Sequence, residues 1–244
     1  SVASTAMVAR SWGAQQAKQA EIVTWTSIVI SVALAAVLSI PILLAPEAIA
    51  GIFGLDKETT ALAASFIFWL GLFNVFSAIS MMLSTALRAT GNVITPLWFL
   101  LFSSIFNVTF AYLLAFGIGP LPKLGVTGVS LGGSFGASII TMIFFFAWWR
   151  GHFNLKPTKR KSIDWATSKQ MIKIGLPPVA EQGIVQLAFL AFFAIVAHYG
   201  TAAYASYGIG ITLVAFPIVI GFGFGIATAT LVGQQMGAGE PDLA

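Results

Sequence analysis

The stretch QGIVQLAFLAFFAIVAHYGTAAYASYGIGITLVAFPIVIGFGFGIATATLVGQQMGAG, Gln182 to Gly239, contains no Asp, Glu, Lys or Arg. An uncharged apolar run of about 18 or more residues reads as a membrane-spanning helix. This run is long enough for more than one. Four further uncharged runs precede it, over residues 22–46, 59–87, 89–122 and 124–149. The chain is therefore predicted to be an all-α, polytopic membrane protein. Composition agrees, since 58% hydrophobic and 8% charged residues leave more apolar surface than a soluble domain of 244 residues could cover.

Proline, glycine and charge mark where the helices stop. The chain is predicted to open with the end of a helix, Ser1 to about Trp12, followed by a helix over about Gln19–Leu44 that Pro41 and Pro46 close. Asp56 reads as the N-cap of a helix over about Lys57–Leu87. Helices over about Val93–Phe116, Val126–Trp149, Thr167–Tyr199 and Ala202–Met236 complete the set. The run GIGPLPKLG (117–125) is a loop by its Gly and Pro content. The long polar segment 150–173 is the natural boundary between two bundles. The chain divides on this reading into 1–150, a cytoplasmic linker 151–166, and 167–244.

Alternating helices put alternate loops on opposite sides of the membrane. One side then takes Arg10, Lys18, Arg88, Arg150, Lys156, Lys159, Arg160, Lys161, Lys169 and Lys173, and the other takes Lys57 and Lys123. Ten against two accounts for all twelve basic residues. The asymmetry places the 150–173 segment in the cytoplasm.

Several function classes fall away. The basic residues sit in short loops as topology signals, so the net charge of +4 does not point to nucleic acid. There is no cysteine, hence no disulfide and no thiolate site. His152 and His198 are too few and too far apart to suggest a metal site. No nucleophile–base set is visible, so the chain does not read as an enzyme. It starts at Ser1 in helix-like sequence with no signal peptide, and is read as a fragment of a longer protein.

The chain also echoes itself. MVARSWGAQQAKQA (7–20) aligns without gaps to LVGQQMGAGEPDLA (231–244), with Val8 on Val232, Gly13 on Gly237, Ala14 on Ala238 and Ala20 on Ala244. Transporters are often built from such repeats. Chance matching of Ala/Gly-rich helix ends is the alternative.

LRATGNVITP (87–96) resembles the helix 4–5 turn of the MATE (multidrug and toxic compound extrusion) transporters. Asn107, Tyr112, Gly117 and Pro120, followed by LGVTGVSLG (124–132), resemble helices 5 and 6 of that family. IGLPPVAEQ (174–182) resembles the start of helix 7, and GTAAYASYGIG (200–210), Pro217 and LVGQQMGAG (231–239) resemble helix 8. The resemblance implies a twelve-helix, two-lobe fold of which this chain supplies the end of helix 2 through helix 8. It implies export of amphipathic, often cationic small molecules in exchange for protons or sodium ions, by alternating access. No cofactor is implied beyond the coupling ion. The implied setting is the bacterial or archaeal plasma membrane, as a monomer when full length. Many members carry an Asp four residues after the helix-5 Asn; here that position is Ala111, which puts an ion site in the first lobe in doubt.

Glu181 is the leading candidate for cation or substrate binding. It lies eight residues beyond Lys173, about 12 Å along a helix and inside a hydrocarbon core about 30 Å thick. A carboxylate at that depth is expensive and faces a cavity or a partner. Hydrocarbon favours its neutral acid, whereas a bound cation favours the carboxylate, and an antiporter needs that competition. The other reading makes it a helix-start acid in a wet vestibule. Gln182 and Gln186 accompany it. Asn107, mid-helix in an uncharged span, suits either a cation or substrate site or an interhelical bond. Asn74 reads as interhelical glue. Tyr204 and Tyr207 read as path-lining or belt residues, and Trp148 and Trp149 before Arg150 as an interfacial anchor. Gly128, Gly132 and Gly136, like Gly221 and Gly225, read as smooth packing faces.

A drug/cation antiporter is thus the leading function. A lipid-linked oligosaccharide flippase of related fold is the alternative, disfavoured because no Lys or Arg lies mid-helix to meet a pyrophosphate. A seven-helix receptor is the alternative from another class. Small molecules and the lipid bilayer are the expected partners.

Overall fold

A computed structural model describes residues 2–51, 57–158, 164–197, 201–240 and 242, excluding the side chains of 194, 197 and 201–205. The elements are α1 (Val2–Gly13), α2 (Ala17–Leu44), α3 (Pro46–Gly51), α4 (Lys57–Ala89), α5 (Ile94–Phe116), α6 (Gly125–Trp149), α7 (Trp165–Ala197) and α8 (Thr201–Ala238). No strand occurs among the described residues. Six of these helices, α2 and α4 to α8, contain stretches long and apolar enough to cross a membrane.

The boundaries fall within a few residues of the sequence expectation, and the differences have local causes. Pro41, read from the sequence as marking the end of this helix, lies inside α2, and the chain restarts at Pro46 as the short α3, a helix the sequence reading did not include. Proline suits a first helical turn, where its missing N–H is no loss. The α7 helix starts at Trp165 because Asp164 caps it, accepting the Thr167 N–H at 3.2 Å and the Thr167 hydroxyl. Asn92 likewise accepts the Thr95 N–H at 3.1 Å at the start of α5. The N-cap expected at Asp56 and the basic residues 159–161 lie outside the described residues.

Burial is concentrated at one end of the bundle. The core joins the end of α1 (Met7, Val8), the start of α2 (Val23, Ile28), the end of α4 (Leu83, Leu87), the end of α6 (Phe144, Trp148), Leu155 and Met171 at the start of α7. All of these lie towards the loops that carry the ten-residue basic set. Trp148 corrects the interfacial-anchor reading: it is fully buried and stacks on Trp25 at 6.3 Å, while Trp149 stays partly exposed. Phe99 of α5 stacks on Phe144 at 4.2 Å in the same cluster.

The α5–α6 pair is packed backbone to backbone. A Cβ at Gly128 would meet the Leu114 carbonyl, one at Gly132 the Phe110 carbonyl, and one at Gly136 the Phe106 carbonyl. Each step of four on α6 is answered by a step of four on α5 in the opposite direction, as antiparallel helices in close contact require. The glycine face read from the sequence is therefore a packing face. Gly221 and Gly225 are different, because nothing among the described residues lies within 4 Å of either Cβ position. Asn74 is glue between helices, as expected: its Nδ2 donates to Ser39 Oγ on α2 at 3.3 Å.

The sequence echo corresponds to a structural one. Gln15 ends α1 in the left-handed region at φ 57, and Gly239, 224 residues later, ends α8 at φ 83. Gln16 N–H bonds the Ser11 carbonyl, and Glu240 N–H bonds the Gln235 carbonyl, again 224 residues on. Both ends carry the six-to-one bond of a Schellman cap. The left-handed conformation is easy for Gly239 and strained for Gln15, so the shared cap outlasts the change of residue type.

Candidate functional site

The helices α1 and α8 pack directly on each other, and they do so reciprocally. A Cβ at Gly13 would strike the Gln234 carbonyl, and a Cβ at Gly237 would strike the Arg10 carbonyl. Gly237 is the repeat mate of Gly13, and Gln234 is the mate of Arg10. The two contacts are thus one contact seen from both sides. Between them Ala9 Cβ faces Gly233, its own mate, at 2.8 Å from a Cβ placed there. A self-complementary contact of this kind is what a two-fold axis produces. It favours a true repeat over chance.

The expected cation or substrate residues are distributed differently. Glu181, Gln182 and Gln186 lie exposed on α7. Pro177 and Pro178 lie inside that helix, so the carbonyls of Lys173 and Ile174 lose their usual N–H partners. Helical side chains lean back towards the N-terminus. Glu181 therefore leans back towards Pro177 and Pro178, one turn before it.

Asn107 is on α5, exposed, with its amide against Gly133 of α6: a Cβ there would be 3.0 Å from Nδ2. Ala111 lies one turn further along α5 and contributes no ligand. The helices α5 and α7 form no packed pair, so the described residues do not bring Asn107 and Glu181 into one site. Tyr207 sits between Phe192 and Phe193 of α7, with ring centroids at 5.0 and 5.1 Å. The side chain of Tyr204 lies outside the described residues.

Sequence reading passed over Arg88, treating it only as a topology signal. It lines two cavities: one of about 420 Å³ between α4, α5 and α6, and one of about 300 Å³ between α1, α4 and α8. The signal was present, because Ser77, Ser80, Ser84 and Arg88 recur on one face of a helix.

A probable multidrug resistance protein, NorM of Thermotoga maritima, is 26% identical over 99% of this chain and 52% of its own length. The multidrug export protein MepA of Staphylococcus aureus is 27% identical over 87% of this chain and 47% of its own length. An FAD transporter of Shewanella oneidensis is 25% identical over 65% of this chain and 35% of its own length. The chain thus spans about half the length of the first two. Among solved structures, an outward-facing multidrug resistance MATE family transporter of the MOP superfamily superposes with a TM-score of 0.87 at 18% identity, over 98% of this chain and 53% of that one. A MOP superfamily transporter from Pyrococcus furiosus, described as having a binding pocket of reverse polarity, gives 0.87 at 17% identity, over 98% and 53%. At these identities the likeness shows the fold, a polytopic all-α membrane fold. The MatE family description matches residues 1–113 and 177–244, most of the chain, and the protein belongs to that family, a multi-pass membrane transporter family and not an enzyme family.

Proposed function

We propose that this chain is the end of helix 2 through helix 8 of a two-lobe exporter in the plasma membrane. It moves amphipathic or cationic small molecules outward in exchange for protons or sodium ions. The reciprocal α1–α8 contact carries the reading. Repeat-related helices that meet on a pseudo-two-fold axis form a seam about which two lobes can rock, exposing a central site to one side and then the other. The burial around that seam supports a state closed on the cytoplasmic side. The lobe boundary falls on this reading between α6 and α7.

Glu181 is the coupling residue in this scheme, with Gln182 and Gln186 beside it on α7. Binding a cation favours its carboxylate, and protonation releases the cation. Asn107 offers an amide in the first lobe, where Ala111 leaves no acid. No cofactor beyond the coupling ion is needed, and the full-length protein works as a monomer.

The test is gradient-driven transport of a cationic dye by vesicles holding the full-length protein. Wild type should move dye against its gradient when a proton or sodium gradient is imposed and stop when it is dissipated. Glu181→Gln keeps size and hydrogen bonding but cannot titrate, and should reduce coupled transport at least tenfold at equal protein level. Equal transport by both at every pH and sodium concentration would remove Glu181 from the mechanism.

A further inference from the structure

The cavity between α4, α5 and α6 has an unusual wall. Ser77, Ser80, Ser84 and Arg88 line it from α4, Ser103 from α5 and Thr141 from α6. The α4 residues occupy one face over about 16 Å of helix. Several hydroxyls in this chain bond back to a carbonyl of their own helix, as Ser27 does to Val23 at 2.7 Å and Ser138 to Ser134 at 2.7 Å, and others reach a neighbouring helix, as Ser65 does to Thr127 at 3.1 Å. Ser77, Ser80, Ser84 and Ser103 make no hydrogen bond to any described residue. Arg88 is half-buried, and its Nε–H is buried without a partner among the described residues. No Asp or Glu lines either cavity that Arg88 reaches.

In a membrane such groups are expensive to leave unmade. Four free hydroxyls alone could be met by water. A guanidinium beside them suits an anion, and its flat fork of donors matches a phosphate or carboxylate. A cationic drug is repelled there, so this cavity is distinct in chemistry from the cation site assigned to Glu181. Two further features narrow the anion. Arg88 lies in the last turn of α4, at the level of the polar surface on the side that carries the basic loops. The cavity opens past Met81, Val93, Leu97 and Leu100, each more than half exposed. A free anion has no use for that apolar lip, whereas a lipid places its headgroup at the surface and its chains beside it. Basic pockets between transmembrane helices on the cytoplasmic side take anionic headgroups. The volume, about 420 Å³, is within the usual range of a ligand pocket.

We propose that this cavity binds an anionic phospholipid of the cytoplasmic leaflet. The phosphate sits on the Arg88 guanidinium and accepts hydrogen bonds from the Ser80 and Ser84 hydroxyls, and the acyl chains lie against Leu97 and Leu100. Arg88 also lines the cavity at the α1–α8 seam, so the bound lipid sits next to the contact on which the two lobes meet.

The experiment uses the full-length protein reconstituted in vesicles of phosphatidylethanolamine and phosphatidylglycerol, then native mass spectrometry of the lipids it retains. Wild type should retain phosphatidylglycerol in preference to phosphatidylethanolamine. Arg88→Gln should weaken that preference about tenfold, the size of one charge-assisted contact. Arg88→Lys, which keeps charge and loses the fork, should fall between. Ser80→Ala with Ser84→Ala should weaken it a few-fold, and this pair serves if Arg88→Gln does not fold. Lys18→Gln, on the same side of the membrane and outside the cavity, should leave it unchanged. The proposal is overturned if wild type shows no preference, or if all the cavity variants retain the lipid as wild type does. It is also overturned if Lys18→Gln loses as much as Arg88→Gln, or if inorganic phosphate alone displaces the lipid.

Discussion

Gln234 Nε2 donates a 2.8 Å hydrogen bond to the carbonyl of Ala89, the last residue of α4. The bond satisfies one of the acceptors that a helix leaves open at its C-terminus. It also ties α8 to a helix that it does not otherwise pack against closely. Its repeat mate, Arg10, carries a charge suited to the same task at another helix end.

Gln234→Leu is therefore predicted to loosen the α1–α8 seam without unfolding the protein. A hydrogen bond of this kind contributes about 0.5–1.5 kcal/mol. A cysteine placed at Val8, buried in the same cluster, should react with a membrane-permeant thiol reagent roughly two- to tenfold faster in the variant. An unchanged rate would mean that the bond has no part in holding the seam.

Gly132→Leu should destabilise the full-length protein by about 1–3 kcal/mol or more, because the added side chain meets the Phe110 backbone and cannot be accommodated by a rotamer change. Gly221→Ala should be neutral or mildly stabilising, since its Cβ enters open space and alanine favours the helix. Thermal unfolding in detergent compares the two. Equal effects would refute the backbone contact.

Trp148→Ala should cost about 3–5 kcal/mol as a deletion of a fully buried ring. Trp149→Ala removes a partly exposed ring and should cost much less. Tryptophan emission should shift to longer wavelength on loss of Trp148, as water reaches Trp25, its stacking partner. A larger loss at position 149 than at 148 would restore the interfacial-anchor reading for the pair.

Topology is checked by single cysteines at positions 57 and 160 of the full-length protein. Position 57 should react with an impermeant reagent applied outside intact cells, and position 160 only after the membrane is opened. The reverse pattern would invert the assignment drawn from the ten-to-two division of charge.

Helix positions were legible because charge and proline interrupt apolar sequence at the membrane surfaces, and both signals are local. The glycine face of α6 was legible for the same reason, as a spacing of four within one segment. Trp148 was misread because two tryptophans before an arginine look the same whether they face lipid headgroups or a neighbouring helix. Only the position of α2 decides. The Arg88 cavity needs three helices brought together, although its α4 wall was visible as a periodicity. Glu181 was legible as a candidate from its isolation. The freed carbonyls of Lys173 and Ile174 follow from Pro177 and Pro178 once α7 is seen to run through both.

The glycine contacts of α6 also bear on the order of assembly during synthesis. Two helices held by carbonyls against bare Cα positions need no third element to complete their interface. The segment from Ile94 to Trp149 can therefore close as a hairpin as soon as both helices have left the translocon, while α7 is still emerging from the ribosome. Later helices would then dock on a preformed pair, and a fault in that pair would be met by quality control before any transport site exists.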